Sequence, residues 1–403
     1  MAEERGKRIF GLRKNVFFLG LVSLFNDFSN EMIQSVMPVF LSVTLGVSPV
    51  FVGIIEGAAD AVASFLKIFS GWLSDRTGKR KSIAVLGYAL SISMRPIYAF
   101  ATSFSQIVKL RMVDRIGKGL RDSPRDALLS ESSGPEELGR SFGYHRAMDA
   151  IGGIAGPLAA VIMLPMLGGS YRSLFLIAFI VGLFVLLSFV FVKDVGTPKK
   201  KSSLSFNIGI FREHKEFGYF LTSIFIFGMG TLPITLMLLR PIELGAKLAN
   251  IPLMYLAYSL TFVLSAIPFG RLSDKVGERI VIPFGFIAAI ASYVLLAFAG
   301  SIEAAVLAFM FFGVYSAATD GIERALTSKL VRPESLATGQ GFLHAAVGIS
   351  SLLAGLIGGL LWTNFGSAYA FIYGAGFSVV GLIFFMVMGF RSKKNLLPEL
   401  KSE

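Results

Sequence analysis

Apolar stretches close to the length needed to cross a bilayer, each ended by a short polar turn, recur about twelve times along the chain. A crossing takes roughly 20 residues in a helix. The pattern places the spans at 15–44, 49–73, 81–101, 104–130, 140–168, 172–192, 217–240, 248–271, 280–299, 302–329, 337–363 and 367–390. Helices are required there, because an open backbone finds no water in hydrocarbon. The expected fold is an all-α integral membrane protein: one six-helix bundle over 1–193, a basic cytoplasmic linker over 194–215 and a second six-helix bundle over 216–403.

The polar turns repeat. Gly71-Trp-Leu-Ser-Asp-Arg-Thr-Gly-Lys-Arg-Lys81 closes the second span and returns 199 residues later as Gly270-Arg-Leu-Ser-Asp-Lys-Val-Gly-Glu-Arg-Ile280. Gly71, Leu73, Ser74, Asp75, Gly78 and Arg80 meet Gly270, Leu272, Ser273, Asp274, Gly277 and Arg279. A second match, at a shift of 198, pairs Asp122 with Asp320 and keeps charged and proline columns in step. The halves are therefore a duplication, and the bundles should be pseudo-symmetric. Within the turn, Gly71 allows close approach of a neighbouring helix and Gly78 a positive φ. Asp75 is placed to accept from a helix N-terminus, where the dipole favours negative charge.

This stretch resembles the loop that marks the major facilitator superfamily between its second and third helices, and the resemblance spans both halves. It implies secondary transport by alternating access of the two bundles. It also implies a cytoplasmic latch formed by Gly71, Asp75, Arg76, Gly78 and Arg80, with Asp274 in the weaker second copy. Arg115-Ile-Gly-Lys-Gly119 resembles the family's fourth-helix signature, whose arginine is linked to proton coupling; Lys118 and Arg121 depart from it by adding positive charge. Gly143, Gly152, Gly156 and Pro157 resemble the antiporter motif of drug-efflux members, although its closing glycine pair is Ala160-Val161 here. Gly152 and Gly156 also make a small-residue surface for close helix packing, which membrane helices use generally.

Polar residues inside the spans mark the candidate site. Asp27, Glu31 and Gln34 form one stripe on the first span, either as a proton-coupling or substrate site or as a packing pair neutralised by a base elsewhere. Glu56, Asp60 and Lys67 share a face of the second. Arg95, beside Pro96 in the third, is expected to pair with Asp27, Glu31, Glu56 or Asp60. Arg111, Arg115, Lys118, Asp122 and Arg125 follow one helical face of the fourth. They would either grip an anionic substrate or neutralise the protein's own acids. His145, Arg146 and Asp149 read as gate ion pairs and no metal site. Asp320, Glu323, Arg324 and His344 are the main polar residues of the second half, read as part of an intracellular gate, with the coupling chemistry placed in the first half. The glycine-rich 348–359 should pack on the second span, and 205–211 should lie on the membrane surface.

Composition adds exclusions. With 54% hydrophobic and 16% charged residues, the solvent is largely lipid. The net charge of +12 is concentrated beside span ends: Arg5, Lys7, Arg8, Arg13 and Lys14, then Arg76 to Lys81, then Lys199, Lys200, Lys201, Arg212 and Lys215. Arg172, Arg240 and Lys247 are the main basic residues on the other face. That asymmetry puts both termini in the cytoplasm of a cell membrane and needs no nucleic acid to explain it. Cysteine is absent, and the chain has no phosphate-loop, zinc-protease or serine-hydrolase motif. The expectation is no enzyme, no metal and no cofactor: a monomer that moves a small molecule with a proton gradient.

Overall fold

The computed structural model describes residues 8–133, 135–195, 209–332 and 335–396. The expected linker residues 196–208, with Lys199, Lys200 and Lys201, lie outside these, as do Arg5 and Lys7.

Twelve long helices run through the described residues: α1 (Lys14–Gln34), α2 (Pro49–Thr77), α3 (Arg80–Phe100), α4 (Phe104–Ser132), α5 (Leu138–Met166), α6 (Tyr171–Val190), α7 (Lys215–Met229), α8 (Ile251–Val276), α9 (Glu278–Phe298), α10 (Ile302–Leu330), α11 (Leu336–Phe365) and α12 (Ser367–Leu396). Ten helical segments among the described residues are long and apolar enough to cross a membrane. The two that fall short, α1 and α4, carry the polar stripes read from the sequence.

Two spans differ from expectation. The first, read as one helix over 15–44, stops at Gln34 and resumes as Met37–Val39 and a π-helical turn, Phe40–Thr44. The seventh, read over 217–240, stops at Met229 and resumes as Ile234–Met237 and Arg240–Glu243. Each break falls four residues before a proline, Pro38 or Pro233. Proline has no N–H for the carbonyl four residues back, and its ring clashes with that carbonyl. An additional element precedes α1: Arg8–Ile9 pairs antiparallel with Leu12–Arg13. Phe10 (φ 50°) and Gly11 (φ 76°) make the turn between them; two successive left-handed residues suit the twist of a tight hairpin.

The described residues pack into two compact units. The first holds α1, α3 to α6, α2 from Val62 onward, and Lys247–Leu256; the second holds Ser48–Ala61 and the rest from α7 on. In the first, α1 packs on α5 and α6, and α3 on α4 and α6. In the second, α7 packs on α11 and α12, and α9 on α10 and α12. Adding six to each helix number converts one list into the other, so the duplication seen in the turns holds for the packing as well. Leu19, Ala84, Tyr88 and Phe189 are buried at the centre of the first unit. Leu183, Leu187 and Val190 on α6 and Val380, Ile383 and Val387 on α12 are exposed. An apolar surface of that extent fits lipid and not water.

Candidate functional site

The first unit's polar centre is the seam between α1 and α5. A Cβ at Gly152 would lie 2.5 Å from the Leu24 carbonyl oxygen and 3.0 Å from Asp27 Cβ; one at Gly156 would lie 2.7 Å from both Glu31 Cβ and the Phe28 oxygen. The glycines therefore let α5 close on α1 at the two acids, and Pro157 is accommodated inside the helix. Asp27 accepts from Asn26 Nδ2 at 2.8 Å, and Glu31 Oε1 from Asn30 Nδ2 at 2.8 Å. Glu31 Oε2 is buried without a hydrogen-bond partner. Neither acid is in an ion pair among the described residues. Asp27 lies within electrostatic reach of Asp149, Glu31 and Arg125. At Gly143 a Cβ would meet nothing within 4 Å, so no close approach accounts for the motif's first glycine.

Helix α4 brings its cations inside. Gly117 abuts Gly87 of α3, and Gly119 abuts Ala63 and Leu66 of α2, which allows a charged helix to be enclosed. Arg111, 2% exposed, donates to Gln34 Oε1 at 2.6 Å and lies 3.6 Å from Asp114. Arg115 is buried and Lys118 half-buried. The Arg121 guanidinium lies 4.7 Å from the Tyr88 ring centroid. Asp122 takes Lys67 at 3.0 Å, and Arg125 donates Nε and Nη2 to Asp126 at 3.0 and 2.8 Å. Arg95 corrects the expectation of a carboxylate partner. Its guanidinium donates to Ser29 Oγ and to Asn26 Oδ1 and lies against Gly182. None of the four proposed acids pairs with it. On α5, His145 and Arg146 each approach Asp149 at 3.4 Å, as read from their spacing.

In the 71–81 turn, Gly78 has φ 69° and its counterpart Gly277 φ 91°. Gly71 lies 3.4 Å, by its Cβ direction, from Ser123. Asp75 pairs with buried Arg80 at 3.1 Å, and Arg80 also with Glu131 of α4 at 2.6 Å. The cap of α3 has no side-chain hydrogen bond. Arg76 is exposed beside the Trp72 ring, at 5.4 Å. In the second copy Asp274 is exposed, Arg279 pairs with Glu216 and Glu278 with Lys329 at 2.6 Å. Residue 329 is 198 after 131, so an ion pair between the turn and its crossing helix recurs with its charges exchanged, made in the second copy by the residue before Arg279.

The second unit contains a cleft of about 360 Å³. Asp320, Glu323, Arg324 and His344, expected at an intracellular gate, all line it, together with Asp60. Phe227, Tyr258, Phe262 and Tyr315 form its aromatic wall. Sequence reasoning missed these four, since aromatics in apolar spans carry no local mark of a cavity. Glu56 is buried in the same unit, on the stretch Ser48–Ala61. There Gly53 abuts Gly355 and Gly359 abuts Val50, the tight packing expected of 348–359.

Two repeated units of matching helix packing, with a lipid-facing apolar surface and charge enclosed within, define a multi-pass α-helical membrane protein. The model of the Major Facilitator Superfamily matches residues 19–245 and again 219–403. The chain belongs to that superfamily, and it is a secondary transporter. It is 32% identical over 385 residues to an uncharacterised MFS-type transporter of Methanocaldococcus jannaschii, covering 93% of this chain and 95% of that one. Among solved structures, the nucleoside transporter NupG superposes with a TM-score of 0.80 at 14% identity, covering 93% of this chain and 99% of that one. A POT family transporter in complex with 5-aminolevulinic acid gives 0.78 at 14%, covering 96% and 98%. At such identities these two neighbours speak for the fold alone.

Proposed function

We propose that the chain works by alternating access as a proton-coupled exporter of small organic molecules. In this reading it is a monomer in the cell membrane with both termini in the cytoplasm, and the proton gradient is its only energy source. The observation that carries the coupling is the α1–α5 seam, where Asp27 and Glu31 are enclosed with amide partners and make no ion pair among the described residues, Arg125 being within electrostatic reach of Asp27. A carboxylate enclosed without a direct ion pair is expensive to keep charged. Taking up a proton removes that cost, and releasing it when water reaches one face ties the proton to the conformational cycle. The glycine motif of α5 favours the outward direction by resemblance to efflux members.

The competing reading, import of an anionic metabolite, rests on the cations of α4. Arg111, Arg121 and Arg125 already have Asp114, Asp122 and Asp126 at 3.6, 3.7 and 2.8 Å, which favours internal neutralisation over anion binding. A thermal-unfolding screen of purified protein separates the two, since ligand at about 100 Kd adds roughly 2.7 kcal/mol. Lipophilic cations stabilise on the export reading; small organic acids and phosphates stabilise on the other. In proteoliposomes with an imposed pH gradient, Asp27→Asn should bind the identified ligand and lose gradient-driven flux. Wild-type flux in Asp27→Asn and in Glu31→Gln would remove the coupling assignment.

A further inference from the structure

The cavity of the second unit has a chemical character of its own. Its wall is a run of ring contacts: Phe227 stacks on Phe286 at 3.7 Å and meets Tyr315 at 5.4 Å, Tyr315 meets Phe312 at 5.1 Å, Phe312 meets Tyr258 at 5.8 Å, and Tyr258 stacks with Phe262 at 6.4 Å. Tyr258 donates its hydroxyl to Ser316 at 3.4 Å, which fixes that ring. Three carboxylates line the space, Asp60, Asp320 and Glu323, against one guanidinium, Arg324. Arg324 is committed to Asp320, donating Nη2 to the carboxylate and Nε to the backbone oxygen, both at 3.0 Å. Among the described residues the Glu323 carboxylate has no hydrogen bond and no ion pair.

We propose that this cavity binds a compact organic cation, a protonated or quaternary amine with an apolar body, with Glu323 as its counter-ion and Phe227, Tyr258, Phe262 and Tyr315 as its walls. Ring faces attract a cation through their quadrupole, more strongly when water is excluded. The carboxylate supplies the charge that the membrane interior lacks. A volume of about 360 Å³ sits at the low end of the roughly 300–1,000 Å³ typical of ligand pockets, so the ligand is small. The inference rests on the transport reading for its purpose, as the substrate class of that transporter, but not on proton coupling or direction.

The test is equilibrium titration of the purified full-length protein with benzyltrimethylammonium and with neopentylbenzene, its uncharged isostere. The cation should bind about tenfold or more tightly than the isostere, and Glu323→Gln should lower its affinity by about tenfold while leaving the isostere unchanged. Phe262→Leu should weaken both probes, the cation more. Arg324→Gln, which removes the positive charge beside Asp320, should tighten the cation, an outcome that loss of folding cannot mimic. No saturable binding of the cation to wild type, equal affinity for the two probes, or undiminished binding in Glu323→Gln overturns the proposal. Asp27→Asn keeps cation binding if the cavity assignment holds. Wild-type flux in that variant and in Glu31→Gln would fail the coupling reading and leave the cavity assignment standing.

Discussion

At the scale of single residues, the glycines of α5 show how one atom decides what a helix can touch. Gly156 lies against backbone and Cβ atoms of α1 that cannot step aside, whereas Gly143 is exposed and meets nothing. Gly156→Ala should therefore destabilise by about 1–3 kcal/mol, as overpacking does. Gly143→Ala should be neutral or stabilise by up to about 1 kcal/mol, the helix-propensity difference. Chemical unfolding of the two purified variants beside wild type checks the contrast, and equal losses would mean that the glycines act through something other than contact. Arg95 teaches a related lesson. Its type and depth were readable from the chain and its need for a partner followed, but two neutral oxygens from Ser29 and Asn26 met that need where a carboxylate was expected.

At the scale of elements, the turns between helices are held by ion pairs that cross to a third helix. Arg80, its side chain 3% exposed, answers both Asp75 and Glu131. Removing one member of a fully buried pair costs about 3–5 kcal/mol; because the acids here are part exposed, Arg80→Gln should cost about 1–3 kcal/mol, read by the same unfolding measurement. The N-terminal hairpin is tied in the same way, with Arg8 and Arg13 on Glu137 at 2.7 and 2.9 Å. The hydrogen bond from Arg13, aided by the charges of both arginines, holds the Glu137 carboxyl below its ordinary value of 4.5. A lowered folded-state pKa stabilises above the ordinary value and is lost as pH falls through the lowered one. Hydrogen exchange of the amides at 8–13, corrected for intrinsic rate, should stay slow above that range and rise on acidification below it. Glu137→Gln should exchange fast at every pH, and a step that survives in that variant would assign the switch elsewhere.

For the whole molecule, basic residues flanking the spans imply a sidedness that packing does not reveal. The chain contains no cysteine, so single cysteines report cleanly on it. On the proposed orientation, with both termini in the cytoplasm, Thr102→Cys, in the exposed turn between α3 and α4, should react in intact cells with a membrane-impermeant maleimide. Thr77→Cys, at the exposed end of α2, should react only after permeabilisation. The reverse pattern would invert the topology and with it the meaning of export.

The sequence by itself determined the limits of most of the long helices, the duplication, the charged turns and the faces on which polar residues fall. Those properties depend on hydrophobic period and on residue order, which are local. It could not tell which prolines break a helix. Pro96, Pro124, Pro157 and Pro283 sit inside unbroken helices while Pro38 and Pro233 follow breaks, because the outcome depends on whether neighbours satisfy the freed carbonyl. Nor could it tell that Phe227, Tyr258, Phe262 and Tyr315, drawn from three helices, would wall a space around Glu323. Periodicity assigns a residue to a face. What that face meets is decided when segments hundreds of residues apart pack together, and only the tertiary structure decided it here.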